Sequence, residues 1–287
     1  MSMERHLQFE VQGDRLLGTL STADGAGNAP VGLVLLHGWA GYRAGAHQMF
    51  VKLAREASLR GIPCLRFDFR GRGDSEGDMN AASLSTMIQD AREAARVLCA
   101  ETGVQRVALV GDCSGSEVAI GVCRDIPGCD RLILWSAPIV AGDRQAAQQA
   151  KQRSIIRQYL GKLFRRETWA KLVGGKLQLG MIRRALVGGG RGKGEEGNAS
   201  DKDIDWYQCF TRFQGRVLFI FGAQDPTTDA AVAHYRDLSK DAQREFELHL
   251  VEGANHAFYS VPWEREVIGI TLNWLTGSGE IGGGGGD

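Results

Sequence analysis

The sequence predicts an α/β fold: a doubly wound, mostly parallel sheet with a helical insertion. Three observations predict it. Short, wholly apolar runs such as GLVLL at 32–36 and VLFIF at 217–221 recur along the chain. Stretches of helical periodicity lie between them. The rhythm breaks once, between about 141 and 208, where helical patterns follow one another with no strand between. A strand that is apolar at every position is buried on both faces, as in a parallel sheet covered by helices on each side.

The elements follow in order. Residues 6–11 and 15–21 read as an N-terminal strand pair around the turn Gln12-Gly13-Asp14. A buried strand at 32–36 ends at His37-Gly38, and residues 49–59 carry Phe50, Leu53, Ala54 and Ala57 on one helical face. Residues 64–69 form the next strand and 83–100 the next helix, apolar at Met87, Ala91, Ala94, Ala95 and Leu98. The strand 107–110 runs into Gly111-Asp112-Cys113-Ser114-Gly115, with a helix from about 117 to 124. Further strands are predicted at 132–135 and 217–221, then helices at 228–238 and 267–275 flanking a strand at 245–251.

Inside the interruption, Ile155, Ile156, Tyr159, Leu160, Leu163 and Phe164 make one apolar stripe, and Trp169, Leu172, Val173 and Leu177 another. The run GGGRGKGEEG at 188–197 has no fixed conformation without outside contacts. An all-helical insertion of this kind reads as a cap over one edge of the sheet. The predicted organisation is therefore core at 1–140, helical cap at 141–208, core again at 209–276, and a disordered Gly-rich tail at 277–287.

Composition narrows the class. The chain has 287 residues, 43% hydrophobic and 24% charged, which suits a globular protein with a sizeable core. No stretch approaches the roughly 20 apolar residues of a membrane span. The start MSMERHLQFE lacks the basic and apolar regions of a secretory signal. Six cysteines without regular spacing form neither a disulfide framework nor a paired C-x-x-C metal site, so a cytoplasmic location is expected. The zero net charge conceals an asymmetry: residues 141–194 hold 13 Lys or Arg against two acids, Asp143 and Glu167. The rest of the chain is correspondingly acidic.

The stretch GDCSG carries the chemistry. A side chain that attacks a carbonyl must stand clear of the backbone at the carboxyl end of a strand. A sharp strand-to-helix turn achieves this by pressing together the residues two before and two after the nucleophile, so both must be small. Cys113 has Gly111 and Gly115 at those positions, whereas Ser114 would have Asp112 and Ser116. Cys113 is thus the candidate nucleophile, and the backbone N–H of Ser114 is a candidate oxyanion donor. The ordinary reading of a cysteine, a small buried hydrophobe, is outweighed by the flanking glycines.

With that turn in place the sequence resembles the α/β-hydrolase superfamily over nearly all of the chain outside the cap. The resemblance implies that the His-Gly turn in LVLLHGWAGYR (33–43) supplies the second oxyanion donor, the N–H of Trp39, with Ala40 the substitute. It places RFDFRGRGDSEG (66–77) beside the site, with Arg70, Arg72 and Asp74 read as braces of the turn rather than substrate contacts. The family order of nucleophile, acid and histidine points to Asp225, just beyond a strand in FIFGAQDPTTD, and His256, in the loop of VEGANHAFYS. Asp229 lies inside the following helix and is the weaker acid. His6, His37, His47, His234 and His249 sit in less suitable places. Closer resemblance is to lid-bearing serine aminopeptidase-type hydrolases and to hydrolases associated with exosortase systems.

These residues imply a Cys-His-Asp triad with a covalent acyl-enzyme, cleaving a carboxylic ester or thioester. A thiol at a helix N-terminus beside an imidazolium favours a standing thiolate–imidazolium pair. A thioester intermediate can also pass its acyl group to an amine or thiol, so acyl transfer is the alternative, and a binding protein on the same fold a third reading. The expected partner is a small-molecule acyl substrate, and the basic cap admits an anionic one such as a CoA or carrier-protein thioester. The same cap also reads as an amphipathic helix pair with solvated basic faces. Nucleic acid is not expected, because the aromatics of this segment lie in its apolar stripes. No metal and no cofactor are expected: Gly277-Ser278-Gly279-Glu280-Ile281-Gly282 has no room for a following helix, and Gly192-Lys193 lacks the rest of a phosphate loop.

Overall fold

The computed structural model describes residues 2–23, 29–140 and 204–277. Eight strands form one sheet: β1 (Ser2–Val11), β2 (Asp14–Ala23), β3 (Gly32–Leu36), β4 (Cys64–Phe67), β5 (Val107–Asp112), β6 (Cys129–Trp135), β7 (Arg216–Gly222) and β8 (Glu247–Val251). The helices are α1 (Met49–Leu59), α2 (Leu84–Thr102), α3 (Ser114–Val122), α4 (Trp206–Thr211), α5 (Thr228–Asp241) and α6 (Val261–Thr276). The strand order is β1-β2-β4-β3-β5-β6-β7-β8. β1 and β2 pair antiparallel, as do β2 and β4, and every other neighbouring pair is parallel.

The apolar runs are buried on both faces, which is why they show no alternation. In β3, Leu33 and Leu35 pack toward α1 and α6, among Phe50, Leu53, Val267 and Ile268. Val34 and Leu36 face the opposite core, with Ala91, Leu98, Val118 and Tyr235 of α2, α3 and α5. The chain steps from β3 outward to β4, then returns past β3 to β5. The carboxyl ends of β3 and β5 therefore lie side by side, with Leu36 opposite Gly111, at the switch point where such sheets hold their sites.

The predicted class is the observed one, with differences at the edges of elements. β1 and β2 run several residues farther than 6–11 and 15–21, because β1 is an exposed edge strand whose outer residues Met3, Glu4 and Arg5 carry no alternation to read. Their turn is two residues, Gln12 and Gly13, both at positive φ (53° and 90°), as a tight hairpin requires. β4 stops at Phe67; the next residue, Asp68, still donates its N–H to Leu17 O at 2.9 Å, while its carboxylate takes the Arg43 and Asp74 backbone N–H groups at 2.5 and 3.0 Å. α3 starts at Ser114 rather than 117. Ser and Gly are poor helix formers and hide its first turn from a propensity reading.

α4 spans the expected 208/209 boundary; its Trp206 and Phe210 are buried and the helix packs on α3 and α5. Residues 141–203, which include most of the expected cap and both of its apolar stripes, lie outside the described residues, as do 278–287 of the expected tail. Among the described residues no helix is long and apolar enough to cross a membrane. All six cysteines are free.

Candidate active site

Cys113 stands on the turn between β5 and α3, at φ 53° and ψ −122°. For a residue with a Cβ this conformation is strained, and the surrounding packing enforces it. A Cβ on Gly111 would come within 2.5 Å of the Gly115 carbonyl oxygen and the Ser116 nitrogen. A Cβ on Gly115 would run into the Leu36 carbonyl oxygen and lie 2.9 Å from that of His37. The two glycines thus serve different contacts: Gly111 lets the turn close on itself, and Gly115 lets it dock against the end of β3. Ser116 Oγ donates to the Gly111 carbonyl at 2.9 Å and Cys113 N donates to Trp135 O at 2.9 Å, fastening the turn to its own strand and to β6.

His256 and Asp225 come from the loops after β8 and β7. The two strands are neighbours in the sheet, so residues 31 apart in sequence meet: His256 Nδ1 donates to Asp225 Oδ2 at 2.6 Å. Asp225 is buried, and its other oxygen accepts from Thr227 N at 2.9 Å and Thr227 Oγ1 at 2.8 Å. Burial alone would raise its carboxyl, but the hydrogen bonds from His256 and Thr227 outweigh this and hold it below the usual value. His256 is pushed up to about 10, first by Asp225 and then by the neighbouring Cys113 side chain. With Nδ1 turned to Asp225, Nε2 is the nitrogen left for the thiol. Asp229 is exposed in the first turn of α5.

Beside this group lies the His37-Gly38 turn. His37 is buried, donates from Nδ1 to Gly38 O at 2.8 Å, and takes Phe69 N–H on Nε2 at 3.4 Å. Both bonds need the neutral ring, and burial lowers its pKa to about 4. A Cβ on Gly38 would lie 3.4 Å from that of Cys113, so the turn passes directly over the candidate nucleophile. Trp39 N, one of the two expected oxyanion donors, donates to Ser114 Oγ at 2.6 Å. Ser114 N, the other, begins α3, where first-turn N–H groups have no acceptor within the helix.

Three participants were not visible in the sequence. Ser114 contributes its hydroxyl, which accepts the Trp39 N–H. Ser136, at φ 45° beyond β6, donates from Oγ to the His256 carbonyl at 2.8 Å and so fixes that loop. Asp112 reaches the site at the end of β5: burial pushes its carboxyl up to about 6, and the nearby His256 charge pulls the other way. For Ser136 the usable signal was positional, since β6 is the strand next to β5. Of the three residues read as braces, two are bound into the scaffold. Arg70 pairs with buried Asp90 at 2.6 Å and also reaches Gln12 and Gln89, and Asp74 meets Arg43 at 2.7 Å. Arg72 instead lies over the Trp39 ring at 4.9 Å. Among the described residues no group of three or more His, Cys, Asp or Glu side chains is placed to hold a metal ion.

Cys113, His256 and Asp225 thus lie together beneath the His37-Gly38 turn. The sheet order and the strained strand–turn–helix define an α/β hydrolase. The chain belongs to the serine aminopeptidase S33 family (Hydrolase_4), whose sequence model matches residues 29–182. The family is named for serine, and here cysteine holds the centre of the turn.

Solved structures share the fold at low identity. A putative dienelactone hydrolase from Klebsiella pneumoniae subsp. pneumoniae is 13% identical, with TM-score 0.65, covering 96% of this chain and 99% of its own. An esterase from Pyrococcus furiosus is 14% identical, with TM-score 0.60, covering 95% and 91%. A proline iminopeptidase from Mycobacterium smegmatis is 14% identical, with TM-score 0.62, covering 96% and 98%. No curated protein matches the sequence.

Proposed function

We propose that the protein cleaves carboxylic esters or thioesters of small molecules through a covalent acyl group on Cys113. The observation that carries this reading is the Cys113 turn at φ 53° with the His256–Asp225 hydrogen bond of 2.6 Å beside it. The esterase and dienelactone hydrolase among the structural relatives agree with acyl chemistry.

In this reading His256 holds a proton on each nitrogen and faces a Cys113 thiolate. The thiolate attacks the carbonyl carbon, and the carbonyl π pair moves onto oxygen, where Trp39 N–H and Ser114 N–H receive it. Collapse breaks the bond to the leaving alkoxide or thiolate, which takes the Nε2 proton. Neutral His256 then removes a proton from water, the resulting hydroxide attacks the thioester, and collapse returns the Cys113 thiolate and a carboxylic acid. Asp225 fixes the imidazole through Nδ1 and stabilises its charge.

Intact-mass measurement after exposure to a panel of short esters and acyl thioesters tests this. The expected result is an acyl adduct that disappears in Cys113→Ala, with turnover falling at least about a thousandfold. Unchanged turnover in that variant would overturn the proposal. Adding amines or thiols to the same assay decides the acceptor: product formed faster than hydrolysis makes the enzyme an acyltransferase.

A further inference from the structure

Arg72 is the one cation of the RGRGD loop that the described scaffold leaves unanswered. Arg70 is held by Asp90, and Arg43 by both Asp68 and Asp74. The acids nearest in the loop are therefore already engaged. Arg72 has no carboxylate partner among the described residues, and its Nε is shut off from solvent with no hydrogen-bond acceptor. Burial without compensation pulls the guanidinium below its ordinary value. Its charge is felt by His37, on the turn that presents Trp39 N–H to the site.

The stacking on Trp39 is what makes this arrangement useful. The guanidinium carbon lies 4.9 Å from the indole centroid, and the terminal Nη groups remain for a ligand. A planar, fixed, partly desolvated fork matches the two oxygens of a carboxylate or phosphate, and such an anion offsets the cost of the unpaired charge. A purely structural arginine would spend its N–H groups within the protein, as Arg70 does on Asp90 and Arg244 on three backbone carbonyls.

We propose that Arg72 is the anion subsite of the acyl site: the substrate carries a carboxylate or phosphate group that docks on the Arg72 fork while its scissile carbonyl lies at Cys113. This rests on the hydrolase reading above and narrows it to an anionic substrate class. A carboxylate would come from the acyl half, as in a dicarboxylic half-ester, and a phosphate from the leaving half, as in CoA.

Two matched substrate pairs separate these sources. One pair is p-nitrophenyl butyrate against p-nitrophenyl hemisuccinate, and the other butyryl-N-acetylcysteamine against butyryl-CoA. The readout is the charged-to-neutral ratio of kcat/KM. The expected ratio is about ten- to a hundredfold in one pair, as a charge-assisted hydrogen bond provides, collapsing to about one in Arg72→Met and partly restored in Arg72→Lys. A wild-type ratio near one in both pairs overturns the proposal. So does a ratio that survives Arg72→Met in a protein with an unaltered melting curve; if that variant melts early, Arg72→Lys is judged alone, a ratio between one and the wild-type value supporting the proposal and an unchanged ratio overturning it. Should none of the four substrates turn over, the hydrolase reading fails by itself. Calorimetry on Cys113→Ala then decides the subsite: binding of monomethyl succinate or CoA that is lost on adding Arg72→Met supports it, and absence of binding, or binding that Arg72→Met leaves intact, overturns it.

Discussion

His37 makes the protein acid-sensitive by a calculable amount. Its ring is 1% exposed and held neutral between Gly38 O and Phe69 N–H, with a pKa lowered from 6.5 to about 4. In the unfolded chain the same histidine titrates near its ordinary value. Between pH 6.5 and about 4 the unfolded state therefore binds a proton that the folded state refuses, and stability falls as pH falls. The full shift corresponds to about 3 kcal/mol, of which about 2 kcal/mol is lost by pH 5. The perturbation is His37→Asn, whose amide can keep the short bond to Gly38 O and does not titrate. Urea unfolding at pH 7 and pH 5 gives the change for each protein, and the difference between the two changes isolates His37 from every carboxylate they share. Wild type should lose about 2 kcal/mol more than the variant. Parallel losses would refute the reasoning, because they would mean that the folded state accepts the proton. A function follows from the same physics, since the turn that His37 braces also carries Trp39. Wild-type turnover should decay at acid pH in step with this titration.

Gly115→Ala would drive a methyl group into the Leu36 backbone, which cannot yield without parting β3 from β5. A destabilisation of at least about 3 kcal/mol is expected, measured as a fall in Tm, and an unchanged Tm would contradict the close docking of the turn. Ser114→Ala frees Trp39 N–H from its 2.6 Å bond to the Ser114 hydroxyl, an acceptor that an oxyanion would have to displace under the proposed mechanism. A rise in kcat/KM of about two- to tenfold is expected, and a fall would mean that the hydroxyl itself helps to bind the oxyanion. Asp225→Asn removes the main cause of the raised His256 pKa. The imidazole NMR titration should move down from about 10 toward its ordinary range, and turnover should drop by about 10⁴-fold. An unmoved titration would assign the shift to Cys113 instead.

Much of the core was legible because burial writes itself into composition. β3 is apolar at every position since each residue meets a helix layer on one face or the other, and its predicted bounds, Gly32–Leu36, are the observed ones. α1 likewise matches at Met49–Leu59, where the apolar positions fall on one helical face. Legibility failed where no layer covers the chain, as along the outer half of β1, or where small polar residues build a turn and a helix start together, as at Ser114-Gly115-Ser116. The loop RFDFRGRGDSEG shows the limit most clearly. Arg70 and Arg72 are identical residues two positions apart, yet one meets buried Asp90 and the other lies on an exposed indole.

By itself, then, the sequence determined the α/β class, the strand runs and the glycine spacing around Cys113, because each follows from local sterics and from which faces are buried. Only the tertiary structure decided which groups share the space above Cys113. β7 and β8 are neighbours in the sheet, so Asp225 and His256 meet, and β3 returns beside β5, so Trp39 N–H comes to Ser114. Those encounters depend on strand order and register, which are set by long-range packing and leave no mark on the spacing of the residues they join.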